Sequence, residues 1–437
     1  MPALEPVARG RVIRPRPRSA RALPESPLPE SPLAMTDDLP TAGLPVVRLR
    51  PKANARAIRH GFPWVYADEL VTDRRTQGLA PGARALLQDA ERADLGVVTV
   101  NTNSKIIARM LDPDPAAAID RDWLAARLRR ALALRERLFD APFYRLVHAE
   151  ADGLPGVIID RFGDAAVIQP NAAWADEMID DLAEALAHVT GVTRIVMNGT
   201  GRARMLEGLP ERTEVILGEI DAPVPVPMNG ATYLADLTGG QKTGIFYDQR
   251  PNQAFAQRLA KGAQVLDVFS HVGGFGLAAL AGGADHATCV DGSAPALALA
   301  TGGARAMGME DRLTTRQGDA FAVLEALAAE GRRFDLVICD PPAFAPSKQA
   351  LEAGLRAYER IARLAAPLVA PGGYLGLCSC SHAVDLSAFR NASARGIGRG
   401  GRRMQLTHTG FAGPDHPMLP QLAESGYLKA LFFRLDG

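Results

Sequence analysis

Cysteine is scarce in this chain, with four in 437 residues, at positions 289, 339, 378 and 380. So few, so placed, cannot staple a disulfide scaffold, and no histidine stands at the spacing that would complete a zinc site with them. Long apolar runs are missing too, which excludes a bilayer-spanning helix. Net charge is absent, since 49 basic residues cancel 49 acidic ones. A wholly polyelectrolyte chain is thereby excluded, although a local basic patch is not. What remains is a soluble, metal-free chain for a reducing, cytoplasmic setting. Its 47% apolar and 22% charged residues suit a globular protein, and its length exceeds one ordinary domain.

Residues 1–45 are rich in Pro and Arg, with Arg9, Arg11, Arg14, Arg16, Arg18 and Arg21 and little periodicity. Such a segment cannot offset its ordering entropy, so disorder is expected, either as a basic arm or as an upstream extension ahead of Met35. Residues 46–115 show short strands and turns, the pattern of a small β domain. There Lys52, Arg56, Arg59 and His60 precede Phe62, Trp64 and Tyr66, an interleaving that suits RNA phosphates and stacked bases. Equally, the aromatics suit the core of a small barrel. Residues 116–220 mix helices (Asp122 to Phe139, Ala175 to Val189) with strands (Tyr144 to His148, Val157 to Asp160, Ala165 to Gln169, Arg194 to Asn198) as a central α+β domain. Arg202, Arg204 and Glu207 near its end read as solvated or RNA-facing. Pro223-Val-Pro-Val-Pro227 and Asn229-Gly230 then lead into a hairpin. From 221 to the end strands and helices alternate, giving an α/β class.

One stretch organises that last domain: Val265-Leu-Asp-Val-Phe-Ser-His-Val-Gly-Gly-Phe-Gly276. A β-prone segment, a cluster at Gly273, Gly274 and Gly276, and an apolar helix start make the strand–turn–helix of a nucleotide-cofactor fold. The next strand ends in Asp291, 24 residues beyond Asp267, the offset at which such folds set an acid on ribose hydroxyls. Asp319 closes the following strand, where an acid commonly meets an adenine amino group. Phe246, Tyr247, Asp248 and Arg250 form a loop that either folds over the cofactor or only enters the next helix.

Asp340-Pro-Pro342 leaves a buried strand at the edge where open α/β sheets bind ligands. Two prolines fix the backbone there and remove its donors, making a shelf for a flat base that Phe344 can cover. Cys378 and Cys380 lie two apart on the following strand and so share a face. Methylation of a pyrimidine at carbon 5 needs a nucleophile on carbon 6, and a thiolate suits that attack. On these grounds either cysteine, or neither, could serve, because free cysteine is also an ordinary core residue.

Several stretches together resemble the bacterial 23S ribosomal RNA (cytosine-5)-methyltransferase family, S-adenosylmethionine-dependent enzymes with an N-terminal PUA domain. They are Phe62-Pro-Trp-Val-Tyr66, Glu150-Ala-Asp-Gly-Leu-Pro-Gly156 with Asp160-Arg-Phe162, Gly240-Gln-Lys-Thr-Gly-Ile-Phe-Tyr-Asp-Gln-Arg250, the glycine stretch, Asp340-Pro-Pro-Ala-Phe344, Ser379-Cys-Ser381, and Asp415-His-Pro417 with Tyr427-Leu-Lys429. The resemblance implies a PUA-like domain, a central α+β domain and a C-terminal Rossmann-like class I methyltransferase domain. It implies S-adenosyl-L-methionine as cofactor, 23S rRNA as partner, and a monomer or homodimer. It makes Cys380 the nucleophile, with Asp340 beside the target base. The cofactor set it implies is Phe246, Asp248, Arg250, Asp267, Phe269, Gly273, Gly274, Asp291, Asp319 and Asp340. Pro341, Pro342, Phe344, Trp64 and Arg59 would meet RNA. Departures are His271 and Val272 where Tyr and Thr are usual, Ala343 where a lysine is usual, Asn229 for a glutamate, and Gly302 or Gly303 for an asparagine. Three other classes fit parts of the pattern: a nicotinamide oxidoreductase, an amino-group methyltransferase that would need no thiol, and an RNA-binding assembly factor without chemistry.

Overall fold

The computed structural model describes residues 43–239 and 244–436. The Pro/Arg-rich segment expected to be disordered, up to residue 42, and the Gln241-Lys242-Thr243 part of the long motif lie outside the described residues. No helix among those described is long and apolar enough to cross a membrane.

Strands β1 (Val46–Arg48), β2 (Trp64–Tyr66), β3 (Ala83–Gln88), β4 (Asp94–Val100) and β5 (Ile106–Asp112) form one sheet in the order β1-β3-β4-β5-β2. Ala85, Leu87, Val98, Val100 and Ile107 close its core, while Val97, on the other face of β4, is buried in the core of the central domain. The short β1 and β2, which the sequence pattern did not mark, carry too few residues to show a period.

A second sheet follows: β6 (Phe143–His148), β7 (Val157–Phe162), β8 (Ala165–Pro170), β9 (Arg194–Gly199) and β10 (Arg212–Leu217), in the order β10-β9-β8-β7-β6. Every residue of β8 is buried because both faces are covered. Helices Arg121–Leu138 and Ile179–Thr190 bury Ile159 and Ile168 on one side. On the other, Phe162, Val167 and Val196 share a core with the hairpin β11 (Val224–Met228) and β12 (Ala231–Ala235). The expected helix Ala175 to Val189 is in fact two, Ala173–Glu177 and Ile179–Thr190, broken at Met178. Arg204 and Glu207 are not solvated. Arg204 is fully buried on Asp176 and on the carbonyls of Pro170 and Pro210, and Glu207 accepts from Asn101, Ser104 and Arg109. A segment rich in charge looks exposed in sequence; here Arg204 is paired within the central domain and Glu207 across the junction with the PUA-like sheet.

In the β11–β12 hairpin Pro225 and Pro227 occupy the outward face of a two-stranded ribbon, where a missing N–H interrupts no central ladder. Asn229 and Gly230, at φ 54° and 73°, make its tight turn. Helix Ala294–Ala306 packs against it so closely that a Cβ on Gly303 would lie 2.7 Å from the Thr232 carbonyl oxygen. That contact excludes an asparagine at this place.

The last sheet has seven strands: β13 (Gln264–Val268), β14 (His286–Asp291), β15 (Leu313–Gln317), β16 (Phe334–Cys339), β17 (Val369–Ser379), β18 (Arg403–Gly410) and β19 (Lys429–Asp436). Their order is β15-β14-β13-β16-β17-β19-β18, parallel except for β19 against both its neighbours. The expected hairpin-like edge is therefore β18–β19, joined by a long loop, 411–428. Leu336, Ile338 and Phe432 point to one face and Val337, Cys339 and Phe433 to the other, so both faces are core. From β13 the chain moves outward to β14 and β15, then returns to β16 on the other side. That reversal opens a crevice between the ends of β13 and β16, where such sheets take ligands.

Candidate active site

The crevice floor is drawn tight by the Asp340 N–H, which donates to the Val268 carbonyl at 3.1 Å. Helix Gly274–Ala281 starts here, and a Cβ on Gly276 would lie 2.5 Å from Cys289 Sγ, so only glycine lets helix and β14 approach. Asp267 is buried beneath the helix start, with Oδ2 accepting from the N–H groups of Phe275 (3.1 Å) and Gly276 (2.8 Å). Burial pushes its carboxyl up to about 7. Its Oδ1 and the Oε1 of the neighbouring Gln253 are buried and meet no donor among the described residues. Phe269 and His271 hold positive φ angles of 62° and 49°, conformations that cost about 1–2 kcal/mol each in a non-glycine residue. Asp291 stabilises the second, accepting from the His271 and Ser293 N–H groups at 2.8 Å each.

Gly273, Gly274, Asp267, Phe269 and Asp291 thus meet at one edge. Phe246 joins them, its ring edge-on to His271 at 5.0 Å. Asp319 lies one strand beyond Asp291, exposed, capping helix Ala320–Ala329 through the Ala322 N–H at 3.0 Å. Asp248 turns to the far side of the crevice, where the Tyr427 hydroxyl donates to its Oδ2 at 2.6 Å, while Oδ1 is buried with no donor among the described residues. Arg250 is not brought in: its guanidinium donates to the Phe143 carbonyl and covers the rings of Phe139 and Tyr247 at 4.4 and 5.3 Å. Nor are Trp64 and Arg59. Trp64 donates to Glu150 at 2.8 Å under the Arg109 guanidinium, and Arg59 pairs with Asp89.

On the β16–β17 side the two cysteines part company. Cys378 is 1% exposed within the core, and burial pushes its thiol well up. Cys380, just past the end of β17, is half-buried, with Sγ 4.0 Å from the Pro341 carbonyl. Its neighbours are clamped. Ser379 Oγ donates to the Tyr358 hydroxyl at 2.9 Å, that hydroxyl meets Ser381 Oγ at 2.8 Å, and the Ala345 N–H donates to Ser381 Oγ at 3.0 Å. The hydroxyls therefore tie both flanks of Cys380 to the proline shelf. Phe344 packs against Tyr358 (4.9 Å), Phe321 (6.1 Å) and Phe269 (6.3 Å), so it lines the shelf from below, while Pro342 and Ala343 are exposed. Beyond the thiol, His382 lies 5.5 Å from the Tyr427 ring, which stacks at 6.4 Å on His148 of the central domain.

Sequence reasoning missed Tyr358 and His148, and it quoted Lys429 within the Tyr427-Leu-Lys429 stretch without foreseeing that its ammonium is buried on the Ser381 and Val384 carbonyls. Only Lys429 carried a signal, a lysine opening an otherwise apolar strand.

A family model of S-adenosylmethionine-dependent methyltransferases matches residues 204–434, and one of PUA-like domains matches residues 47–113. The chain belongs to the S-adenosylmethionine-dependent methyltransferases. A ribosomal RNA large subunit methyltransferase of Deinococcus radiodurans is 35% identical over 414 residues, 91% of this chain and 99% of that protein. A ribosomal RNA large subunit methyltransferase I of Shewanella amazonensis is 37% identical over 394 residues, 89% and 99% of the two chains. Among solved structures, a Streptococcus mutans protein described as a SAM-dependent methyltransferase has a TM-score of 0.75 at 19% identity, covering 90% of this chain and all of that one. A methyltransferase complexed with SAH matches at TM-score 0.75 and 20% identity, over 89% and 99% of the two chains. The methyltransferase crevice fits the cofactor: its unpaired buried atoms, Asp267 Oδ1 and Gln253 Oε1, are acceptors, and S-adenosylmethionine is cationic and rich in N–H and O–H groups.

Proposed function

We propose that this methyltransferase forms 5-methylcytosine in large-subunit ribosomal RNA through a transient bond to Cys380. The names of the relatives support the RNA. The single observation that carries the chemistry is that Cys380 alone of the four cysteines escapes burial, and does so beside the Pro341 carbonyl on the Asp340-Pro-Pro342 shelf.

S-adenosylmethionine, when bound, supplies an electrophilic methyl group. In the proposed sequence the Cys380 thiolate adds to carbon 6 of a cytosine lying on Pro341 and Pro342. The ring electrons move toward N3, where Asp340 shares a proton. Carbon 5, made nucleophilic, takes the methyl group. Its remaining proton passes to water at the half-exposed thiol, the carbon–sulfur bond breaks to restore the thiolate, and N3 gives its proton back to Asp340. Asp291 would hold the ribose, Asp319 the adenine edge, and Phe246 would cover the cofactor. Arg59, half-exposed at the end of the short helix Ala55–Arg59 in the PUA-like domain, would meet RNA phosphate.

The test is incubation of the full chain with labelled S-adenosylmethionine and total rRNA, followed by nucleoside mass spectrometry. Wild type is expected to yield 5-methylcytosine and Cys380→Ala none. Unchanged product in the mutant, or methyl on an exocyclic amine, defeats the proposal.

A further inference from the structure

Among the described residues two carboxylate oxygens are buried without a donor, Asp267 Oδ1 and Asp248 Oδ1. The first lies under the glycine cluster, on the cofactor side of the crevice. The second lies on the thiol side, and the proposed steps leave it unused. Asp248 is 9% exposed. Its Oδ2 accepts from the Tyr427 hydroxyl at 2.6 Å and its carbonyl from the Gly413 N–H at 3.0 Å, both in the loop 411–428. That loop runs into β19, which sets Lys429 opposite Ser379. Tyr427 therefore stands beside the turn that follows Cys380, its ring 5.5 Å from that of His382. Ile245 and Tyr247, just before Asp248, share with Cys378 the core on one face of β17, and Cys380 follows two residues on. A second orphan atom borders the same phenol: His148 Nδ1, on a ring stacked against Tyr427 at 6.4 Å, is buried without a partner. Holding Tyr427 needs one acceptor, which a neutral asparagine would supply. The other carboxylate oxygen is left over, and burying it is costly unless a donor arrives.

We propose that Asp248 is a specificity-determining residue that reads the exocyclic amine of the target cytosine through Oδ1. This rests on the crevice being a cytosine-5 methyltransferase site. With carbon 6 at the thiol and N3 at Asp340, the 4-amino group is the remaining part of the ring that separates cytosine from uracil. It carries N–H donors where uracil carries an acceptor oxygen. Oδ1 takes one of those N–H groups in a charge-assisted bond. Uracil in the same pose sets its O4 against Oδ1, two acceptors with no hydrogen between them, and leaves the carboxylate buried and unpaired. A site built to bond a particular donor rejects the analogue lacking it more strongly than an apolar pocket rejects a wrong shape. Such a reader is needed here. A thiolate added at carbon 6 activates carbon 5 of either pyrimidine, so the covalent step alone does not choose between them. The Tyr427 hydroxyl, held on Oδ2, fixes the plane in which Oδ1 is offered.

The test compares two rRNA transcripts that differ only at the nucleotide wild type methylates, mapped first by mass spectrometry: cytosine in one, uridine in the other. The full chain is assayed with labelled S-adenosylmethionine, and the ratio of kcat/KM on the two gives the preference. Wild type is expected to favour cytosine by about 100-fold or more. Asp248→Asn can turn either an N–H or an oxygen to the base. It is expected to lose about 10- to 100-fold on cytosine and nothing on uridine, so the preference shrinks by that factor. Its S-adenosylhomocysteine affinity should stay within about twofold of wild type. Should circular dichroism show that variant unfolded, Asp248→Ser is read in the same way. A wild-type preference below about tenfold, or a variant preference within about twofold of wild type, overturns the proposal. So does loss of S-adenosylhomocysteine affinity in a folded variant, which gives Asp248 to the cofactor. Cys380→Ala that still forms 5-methylcytosine defeats the covalent role and leaves the reading of the amine standing. Product on a base other than cytosine, or no product, defeats the function and this inference together.

Discussion

Where the PUA-like sheet and the methyltransferase loop 411–428 meet the central domain, buried charges are matched. Arg109 reaches Glu150 and Glu207 at 3.0 Å each, and Arg135 grips Asp152 at 2.6 and 2.8 Å while donating to the Asp415 carbonyl at 2.9 Å. In the crevice of the last sheet, Asp267 Oδ1, Gln253 Oε1 and Asp248 Oδ1 are equally buried and meet no donor among the described residues. An unsatisfied buried polar atom costs about 1–3 kcal/mol. The junction has offset that cost for its carboxylates, leaving only donor atoms such as Arg109 Nε and Arg204 Nη2 without partners, whereas the crevice retains it on acceptors that a ligand can relieve. Here paired carboxylates mark the fastening and unpaired acceptors mark the crevice, although both look alike as charged residues in a sequence.

Breaking the fastening should have the largest effect on stability. Arg135→Met leaves Asp152 buried without its partner and is expected to cost about 3–5 kcal/mol in chemical denaturation. Crevice substitutions should do the opposite. Asp267→Asn keeps the acceptor for the Phe275 and Gly276 N–H groups but changes the unpaired position. It is expected to weaken cofactor binding by about 1.5–3 kcal/mol in a calorimetric titration. Because its carboxyl is raised from 3.8 to about 7, the contribution of this one group to stability is full below that interval and is lost as pH climbs through it. The asparagine variant should lack this fall, gaining at most ~4 kcal/mol above pH 7. Should Asp267→Asn unfold the protein as Arg135→Met does, with affinity unchanged, the contrast fails.

Tyr358→Phe tests the clamp around Cys380. Loss of the hydroxyl strands Ser379 and Ser381 and should cost about 1–2 kcal/mol in stability, with kcat falling and cofactor affinity unchanged. The smallest effect is expected from Arg59→Ala. Folding should barely change, because the Arg59 side of its ion pair is half-exposed. If Arg59 meets a phosphate, the slope of log affinity against log salt for RNA falls by about one.

The sequence was most legible where period and punctuation coincide. The β16 run ending at Asp340-Pro-Pro342, the glycine cluster and the strand ending in Asp291 are each fixed by local rules, and they converge at the switch point. Contacts distant in sequence, within and between domains, were not legible. Arg204 and Glu207 look solvated because nothing local says that Asp176, Asn101 and Ser104 will come to meet them. Arg250 sits in a conspicuous motif, yet its guanidinium leaves the crevice for Phe143 and Phe139. Trp64 shows an indole that suits base stacking, but Glu150 and Arg109 hold it at the junction. Cys378 and Cys380, alike on strand parity, differ in burial because of where β17 ends: one residue past Ser379 the pleat stops and the second thiol is half-buried instead of lying in the core.

The most direct measurement of the covalent chemistry uses RNA carrying 5-fluorocytosine, whose C5 fluorine cannot leave as a proton. With S-adenosylmethionine present, a denaturation-resistant protein–RNA adduct is expected, and peptide mapping should find the RNA on Cys380. Efficient methylation of ordinary rRNA with no such adduct, or an adduct on another residue, would contradict the account.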